Sequence, residues 1–260
     1  MKERIDVILV DRRLVESRTK AQWLITNGYV SISGKKILKP GKKIDNSLEI
    51  TLKKEFPYVS RGGLKLEAAL QNFSISVANK TCMDIGASIG GFTDCLLKHG
   101  AKKIYAIDKA EDLLHPSLRC EKVKGKIIPM LGIDARNMLD ISEEVDICTI
   151  DITFASLKTI LPNVKKNIKI DGDIIALIKP IFETEYINIS KFNVIQDPQQ
   201  LYEIVLDLSQ WCLKNQLFPN NIIKSPILGK EGSIEFFIHL KLEDLSLKND
   251  FNQLINNAIF

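Results

Sequence analysis

The sequence predicts an α/β protein whose main domain is a mostly parallel sheet with an antiparallel last strand, preceded by a small α+β domain. From residue 81 onward, short apolar segments alternate with longer segments of helical pattern, which is typical of a parallel sheet covered by helices. The final two strand-like segments, NNIIKSPIL and SIEFFIHLK, are only about four residues apart. Because that gap cannot hold a helical crossover, we expect the last strand to run antiparallel to its neighbour.

The composition is that of a globular protein. The chain has 260 residues, of which 45% are apolar and 26% are charged, enough for one large domain and one small one. No apolar run approaches the roughly 18 residues needed to cross a bilayer. The five cysteines are scattered and form no C-x-x-C pair. We therefore expect a cytoplasmic protein with no membrane segment, no disulfide framework and no metal site.

Positive charge is concentrated in the first fifth of the chain. Residues 1–55 hold 13 Lys or Arg against 7 Asp or Glu, whereas residues 56–260 hold 23 against 25. A compact basic domain on a near-neutral body suggests a polyanionic partner, most often nucleic acid. Charge alone fits a solvated basic face equally well.

Two helices and several short strands are predicted in this basic region. RIDVILVDRRL carries apolar residues at helical spacing, and SRTKAQWLITNG begins at a Ser17 N-cap and ends at Gly28. YVSISGKKIL predicts two strands around a turn at Gly34, and KPGKKIDNSLEITL predicts another turn and a last strand. Such a domain would present six basic side chains to phosphate groups: Arg12, Arg13, Arg18, Lys20, Lys35 and Lys36.

A glycine-rich segment, MDIGASIGGFTD, begins at the first strand of the main domain. It suits either a dinucleotide or S-adenosylmethionine. A dinucleotide fingerprint reads G-x-G-x-x-G, whereas this chain has Gly86-x-x-x-Gly90-Gly91 with Asp84 before it. A carboxylate at that point would repel a pyrophosphate and suits the ammonium group of the methyl donor. The alternative is a purely structural role, in which Gly86 and Gly90 only form a tight turn.

Two later acids complete the predicted cofactor site. Asp108 follows the next strand, where an acid can accept hydrogen bonds from ribose hydroxyls. Asp134 ends the third strand, where it can face the adenine edge or instead cap the following helix. A nicotinamide-dependent oxidoreductase is disfavoured by the missing fingerprint. The predicted S-adenosylmethionine site comprises Asp84, Gly86, Ala87, Ser88, Gly90, Gly91, Asp108, Asp134 and Asp151.

Four charged residues are expected to meet at the edge of the sheet where ligands bind. Asp151 and Lys179 each end a parallel strand, and strands of this kind place their carboxyl ends at one crevice. Glu235 begins the antiparallel strand and so lies at the same edge, and Lys65 can reach the rim from the helix before the sheet. The predicted catalytic cluster is therefore Lys65, Asp151, Lys179 and Glu235. The alternative is a set of ordinary surface ion pairs, which contribute little to stability.

This cluster suits methylation of a ribose hydroxyl. The methyl carbon of S-adenosylmethionine is already electrophilic, so the enzyme must align a 2′-hydroxyl and ease the loss of its proton. A lysine held neutral by a neighbouring cation in a dry site can act as the base. We assign that role to Lys179, with Asp151 and Glu235 orienting it and Lys65 positioning the hydroxyl or stabilising the alkoxide.

The sequence also resembles known families. The residues Arg4, Ser17-Arg18, Ala21, Ile25, Gly28, Val30 and Gly34 follow the spacing of the ribosomal-protein S-four type RNA-binding domain. The motifs that resemble the TlyA (hemolysin A) family of bacterial ribosomal RNA 2′-O-methyltransferases, relatives of FtsJ, are YVSRGGLKLEAAL, DIGASIGGFTDCLLKHGAKKIYAID, IDITFASL, IALIKPIFE and SPILGKEGSIEFFIHLK. The resemblance covers about residues 4–241.

This resemblance implies a Rossmann-like class I methyltransferase fold and transfer of methyl to cytidine 2′-hydroxyls. The implied partners are ribosomal RNA or ribosomal subunits, and nothing in the sequence resembles a pore-forming segment. Lys65, Asp151, Lys179 and Glu235 match the family tetrad. RNA contacts are implied for Arg4 and for Arg61, whose linker position would couple RNA engagement to cofactor binding.

The predicted domains are an RNA-binding domain at 1–55, a linker at 56–63, a methyltransferase domain at 64–243 and an amphipathic tail at 244–260. The tail pattern fits packing on the body or on a partner. Three features depart from the family: Ile89 stands where a Thr is usual, DKAEDLLHPSLR lacks the usual Asp-Val-Gly and Gln, and NISKFNVI replaces a glycine-rich run. These departures keep open an RNA-binding relative with weak or lost methyltransferase activity.

Overall fold

The computed structural model describes residues 2–53, 56–137, 141–184, 194–243 and 251–260. Contacts within the chain divide it into two units, residues 1–61 and 62–260. The NISKFNVI segment lies largely outside the described residues, as does the first part of the tail.

The N-terminal unit has two helices beside short antiparallel strand pairs. Strand β1 pairs with β4, and β2 pairs with both β3 and β5. The predicted hairpin turn is present, since Ser33 and Gly34 have φ angles of 48° and 77°, as expected of a tight two-residue turn. Strand β1 was not predicted. The bounds are β1 Lys2–Arg4, α1 Ile5–Asp11, α2 Arg18–Thr26, β2 Val30–Ile32, β3 Lys35–Lys36, β4 Lys43–Asp45 and β5 Ile50–Leu52.

The helix boundaries in this unit follow the predicted signals. The Ser17 side chain accepts a hydrogen bond from the Lys20 N–H at 3.3 Å and so caps α2. Gly28 follows the helix with a φ of +74°. The apolar sides of both helices bury Ile5, Ile8 and Leu24 against the strands.

The C-terminal unit is built on a seven-stranded sheet with the order β11-β12-β10-β9-β6-β7-β8. Pairs β6–β7, β6–β9, β7–β8 and β9–β10 are parallel, whereas β12 runs antiparallel to β10 and β11. The strands are β6 Thr81–Ile85, β7 Lys103–Asp108, β8 Ile127–Leu131, β9 Val145–Ile150, β10 Ile168–Ile178, β11 Phe218–Lys224 and β12 Phe236–Lys241. The predicted fold class is therefore confirmed, including the antiparallel last strand.

Helices cover this sheet. Their bounds are α3 Arg61–Phe73, α4 Gly91–Lys98, α5 Leu161–Val164, α6 Pro180–Glu183, α7 Pro198–Lys214 and α8 Phe251–Ile259. Helix α8 packs on β11 and α7 and buries Ile255 completely, so the described part of the tail lies on the body of this unit. Among the residues described, no helix has both the length and the hydropathy to cross a membrane.

The strand directions bring the predicted site residues to one edge of the sheet. The parallel strands β6, β7, β8, β9 and β10 all end there, and β12 begins there because it runs the opposite way. The residues directly after β9 and β10, and the residue directly before β12, are Asp151, Lys179 and Glu235. The loops at this edge can thus combine distant parts of the sequence.

Candidate active site

The glycine-rich segment forms a loop between β6 and α4. Gly86 has a φ of +81° and Gly90 a φ of +97°, conformations that favour glycine. A side chain at residue 86 would place its Cβ 2.3 Å from the carbonyl oxygen of Asp151. The N–H groups of Gly86 and Ala87 donate to the Ile107 carbonyl at 2.9 and 3.0 Å. The loop is therefore held against two neighbouring strands at a distance that only glycine permits.

Asp108, the last residue of β7, fixes the other side of this loop. One of its carboxylate oxygens accepts from the Ser88 N–H and the other from the Ala110 N–H, both at 2.7 Å. Each oxygen keeps a lone pair for a second donor, such as a ligand hydroxyl.

A cleft of about 640 Å³ opens beside the loop. This volume lies within the range of about 300–1,000 Å³ that is usual for small-molecule sites. Ala87, Gly90 and Gly91 are buried in the loop and the start of α4. The predicted cofactor residues that line the cleft are Gly86, Ser88, Asp108, Asp134 and Asp151.

Asp84 lies elsewhere than expected. It is completely buried below the loop, where its carboxylate accepts from the Thr93 hydroxyl at 2.6 Å and the Thr149 hydroxyl at 2.9 Å. We expected this carboxylate to meet the ammonium group of a ligand, but residue 84 lies inside a strand and its side chain points into the protein. Its position ties β6 to α4 and β9. Burial raises the pKa of Asp84 to about 7.

This burial predicts an unusual pH dependence of stability. Because the folded protein holds the Asp84 proton more tightly than the unfolded chain does, the contribution of Asp84 to the free energy of unfolding should fall as pH rises from 3.8 to about 7. The contribution is at most about 1.4 kcal/mol per pH unit. Asp84→Asn should remove this pH-dependent contribution. Urea unfolding at several pH values would measure the free energy of unfolding of both proteins. Asp11→Asn, at an exposed site, is the control; equal slopes for wild type and Asp84→Asn would contradict the prediction.

Asp134 caps a turn, one of the two roles that the sequence left open. Its carboxylate caps the turn at Ala135–Asn137 by accepting from the Arg136 N–H at 3.0 Å, and it also lines the cleft. The Arg136 guanidinium lies 2.5 Å from one carboxylate oxygen and holds the pKa of Asp134 well below its usual range. Lys109 approaches the same oxygen at 3.6 Å.

The predicted catalytic cluster is present as two ion pairs. Lys65 Nζ, on α3, lies 2.5 Å from Glu235 Oε2, and both side chains are buried. Lys179 Nζ lies 2.6 Å from Asp151 Oδ1. Surface ion pairs would leave these groups in water, whereas the Lys65 and Glu235 side chains are only 10% and 4% exposed.

A second, smaller cavity joins the two pairs. It has a volume of about 230 Å³ and is lined by Lys65, Glu235 and Lys179. Lys179 and its partner Asp151 also line the larger cleft. The lysine amine thus lies between a ligand-sized cleft and a pocket with two further charged groups.

A model of the FtsJ-like methyltransferase family matches residues 58–242, which include this whole site. The chain belongs to the FtsJ-like methyltransferase family. A model of the S4 domain matches residues 3–50, within the N-terminal unit. The resemblance that the sequence motifs indicated is thereby confirmed.

Several individual proteins are similar in sequence to this FtsJ-like methyltransferase over nearly its whole length. The chain is 34% identical to the 16S/23S rRNA (cytidine-2′-O)-methyltransferase TlyA of Mycobacterium tuberculosis, over 92% of this chain and 90% of that protein. It is 37% identical to hemolysin A of Brachyspira hyodysenteriae, over 91% of this chain and 98% of that protein. A solved structure described as a hemolysin, from Streptococcus thermophilus, superimposes with a TM-score of 0.71 at 32% identity, covering 99% of this chain and 95% of that one.

Sequence reasoning missed Phe154 in this methyltransferase site. The residue has a φ of 63° and is 74% exposed, which is rare for a large apolar side chain. It lines both cavities and packs its ring 5.5 Å from that of Phe182. Phe154 belongs to the motif IDITFASL, but the sequence does not reveal that its backbone is left-handed or that its side chain is exposed.

Gly229 is a second residue that the sequence did not single out. Its backbone is not left-handed, yet a Cβ there would lie 2.1 Å from Glu235 Oε1 and 2.3 Å from Ser233 Oγ. The glycine therefore makes room for the carboxylate that pairs with Lys65.

Gly229→Ala should displace Glu235 while the fold survives. We expect methyl transfer to fall about 10-fold or more, because small misplacements of catalytic groups are costly. Gly232→Ala, in the same loop, has a left-handed φ of +85° and should lose some stability, but its Cβ position is open, so it should keep most of the activity. Methyl-transfer assays together with thermal unfolding would measure both variants, and a fully active Gly229→Ala would contradict the steric argument.

Two of the predicted RNA-contacting arginines share one buried partner. Arg4 Nε lies 2.9 Å and Arg18 lies 3.1 Å from the carboxylate of Asp6, which is completely buried. Gln22 donates to the same carboxylate at 2.9 Å. Both guanidinium groups remain about half exposed, so Asp6 orients them without removing them from the surface.

The other predicted basic residues lie on the surface, except Lys20, whose side chain is only 14% exposed. Arg12 donates to the carbonyls of Leu48 and Asn46, and Lys20 pairs with Glu16. Arg13, Lys35 and Lys36 are exposed, and Arg61 is exposed at the first residue of α3. Across the described part of the chain, no group of three His, Cys, Asp or Glu side chains is placed to hold a metal ion.

Proposed function

We propose that the chain transfers the methyl group of S-adenosylmethionine to 2′-hydroxyl groups, those of cytidines, in ribosomal RNA. One observation carries this proposal: the Lys179 amine lies between the large cleft beside the glycine loop and the smaller pocket that contains Lys65 and Glu235. A base in that position can reach a substrate hydroxyl next to a donor. The rRNA cytidine activity of the Mycobacterium relative supports the choice of substrate.

The residues of the large cleft fit S-adenosylmethionine. Gly86 lines the cleft without a side chain, and Asp108 is held at the end of β7 with lone pairs available for ribose hydroxyls. Asp134 lies on the same wall, where it can contact the adenine base. The bound donor would supply an electrophilic methyl group.

The charged residues of the smaller pocket would prepare the acceptor. In its uncharged form the Lys179 amine accepts the proton from the 2′-hydroxyl, and the ammonium that results is stabilised by the Asp151 carboxylate 2.6 Å away. The Lys65 ammonium stabilises the negative charge that develops on the sugar oxygen, and Glu235 holds Lys65 in place. Phe154, exposed between the cavities, offers an aromatic face to the nucleobase.

The N-terminal unit would bind the RNA. Its excess of basic residues supplies a sequence-independent attraction to phosphates, and the arginine pair fixed by Asp6 provides directed contacts. Activity on ribosomal RNA would place the protein in the cytoplasm.

Mapping of 2′-O-methyl marks tests the proposal. Ribosomal RNA from cells that carry this chain should show cytidine marks that are absent from cells without it. Ribosomal subunits from the second strain should acquire the marks when incubated with the purified protein and S-adenosylmethionine. Identical maps from the two strains, with no transfer in vitro, would overturn the function.

An RNA-binding relative without turnover remains the second candidate, and one observation favours it. Ile89, where the family pattern has a Thr, is exposed beside the glycine loop, and Leu113, within the segment that lacks the usual Gln, is exposed and lines the cleft. Such a protein would bind ribosomal RNA but would show no heat of binding with S-adenosylmethionine. Calorimetric titration with the donor therefore separates the two functions.

A further inference from the structure

Glu183 is a buried carboxylate that the reaction outlined above does not use. It ends α6, four residues after Lys179, and is only 8% exposed. Burial raises its pKa. A buried acid of this kind is costly unless its oxygens are hydrogen-bonded, so its contacts indicate what it does.

Both oxygens of Glu183 hold the loop that follows β9. The Leu157 N–H donates to Oε1 at 2.8 Å, and the Ser156 hydroxyl donates to Oε2 at 2.6 Å. Ser156 also caps the turn Leu157–Thr159 by accepting from the Lys158 N–H. The Glu183 carboxylate thus connects two distant segments, since Leu157 and Ser156 precede it by 26 and 27 residues.

These two segments carry the groups on either side of the proposed reaction. The first runs from Asp151 through Phe154 to Ser156, and the second runs from Lys179 to Glu183. Phe154 and Phe182 pack together along the same junction, with ring centroids 5.5 Å apart. A shift of one segment against the other would change the distance between Lys179 and Asp151.

We propose, resting on the function proposed above, that Glu183 is a positioning residue which fixes Lys179 against Asp151 and Phe154. It acts through the loop and does not touch substrate or donor. Its removal should therefore slow the chemical step while leaving the donor cleft beside Gly86 and Asp108 unchanged.

Substitutions of Glu183 separate this role from a general structural one. Glu183→Ala should lower kcat about 10- to 100-fold, as expected of a catalytic group displaced by about 1 Å, with the Kd for S-adenosylmethionine unchanged within about threefold. Glu183→Gln should restore kcat to within about threefold of wild type, because its carbonyl accepts from Leu157 and its amide donates to the Ser156 hydroxyl. Asp207→Asn removes an exposed carboxylate that pairs with Lys158 nearby and should leave kcat unchanged.

One further variant keeps the proposal testable if Glu183→Ala does not fold. Ser156→Ala removes one of the two hydrogen bonds from the loop side and should lower kcat by about 3- to 10-fold. Hydrogen exchange should show faster exchange of the Leu157 amide in Glu183→Ala, if it folds, but not in Glu183→Gln.

The outcomes distinguish this inference from the function on which it rests. If the wild type transfers no methyl to ribosomal RNA, the proposed function fails. If the wild type is active and Glu183→Ala or Ser156→Ala matches its kcat, only the positioning role fails. The positioning role would also be overturned if Glu183→Gln lost as much kcat as Glu183→Ala. The hydrogen bonds to the loop would then not explain the effect of residue 183 on kcat.

Discussion

Lys179→Ala is expected to lower methyl transfer to ribosomal RNA by about 10²- to 10⁴-fold, the usual contribution of a general base. The amine lies beside both cavities and 2.6 Å from Asp151, so no other lysine described at this edge has the same position. Donor binding should persist because the glycine loop and Asp108 are not touched. Radiolabelled methyl transfer and calorimetry with S-adenosylmethionine measure the two effects separately.

Lys169→Ala is the matched control for this variant. Lys169 lies on β10, the strand that leads to Lys179, and also pairs with an aspartate, Asp146, at 2.7 Å. It faces the opposite end of the strand and should leave methyl transfer unchanged. Lys179→Arg keeps the charge but cannot lose a proton near neutral pH, so it should be as inactive as the alanine variant. Activity in the arginine variant would show that residue 179 acts as a cation and not as a base.

Gly86→Ala is expected to destabilise the C-terminal unit by about 2–5 kcal/mol and to abolish detectable binding of S-adenosylmethionine. Two costs combine: a left-handed backbone at φ +81°, and a Cβ only 2.3 Å from the Asp151 carbonyl oxygen. The second cost cannot be relieved by a side-chain rotation, because the obstructing atom belongs to the backbone. Urea unfolding and donor titration would measure the two losses.

Gly125→Ala isolates the first of these costs. Gly125 has the same φ of +81°, yet its Cβ position is open, with no atom within 4 Å. It should therefore lose only the conformational part, about 1–2 kcal/mol. Equal losses in the two variants would show that the close approach to Asp151 costs nothing.

The fold could be predicted because its determinants are local. Apolar strands such as β6 and β9 alternate with helical segments. The loop between β11 and β12 covers 225–235 and is longer than the predicted gap, because SPIL is not part of a strand, but it is still too short for a parallel crossover. The direction of the last strand then placed Glu235 at the same edge as Asp151 and Lys179. Topology alone was therefore sufficient to bring three of the four charged residues together, whereas Lys65 is placed by helix α3.

The finer arrangement depends on contacts that a sequence does not contain. The pairing of Lys65 with Glu235, and of Lys179 with Asp151, follows from side-chain packing. Asp84 was expected at the ligand because it precedes the glycines, but β6 is buried on both faces, and the hydroxyls of Thr93 and Thr149 bind the Asp84 carboxylate inside the protein. Gly229 and Glu183 each act on residues that are reached only through the folded loops.

The antiparallel β12 also sets the order in which the site can be completed during synthesis. Lys65 and Glu235 are separated by 170 residues, so a nascent chain emerging from the ribosome carries the lysine long before its counter-charge. Until that last segment has emerged and inserted between β10 and β11, the amine has no carboxylate beside which to be buried. A newly made molecule therefore lacks the Lys65–Glu235 ion pair for most of its own translation.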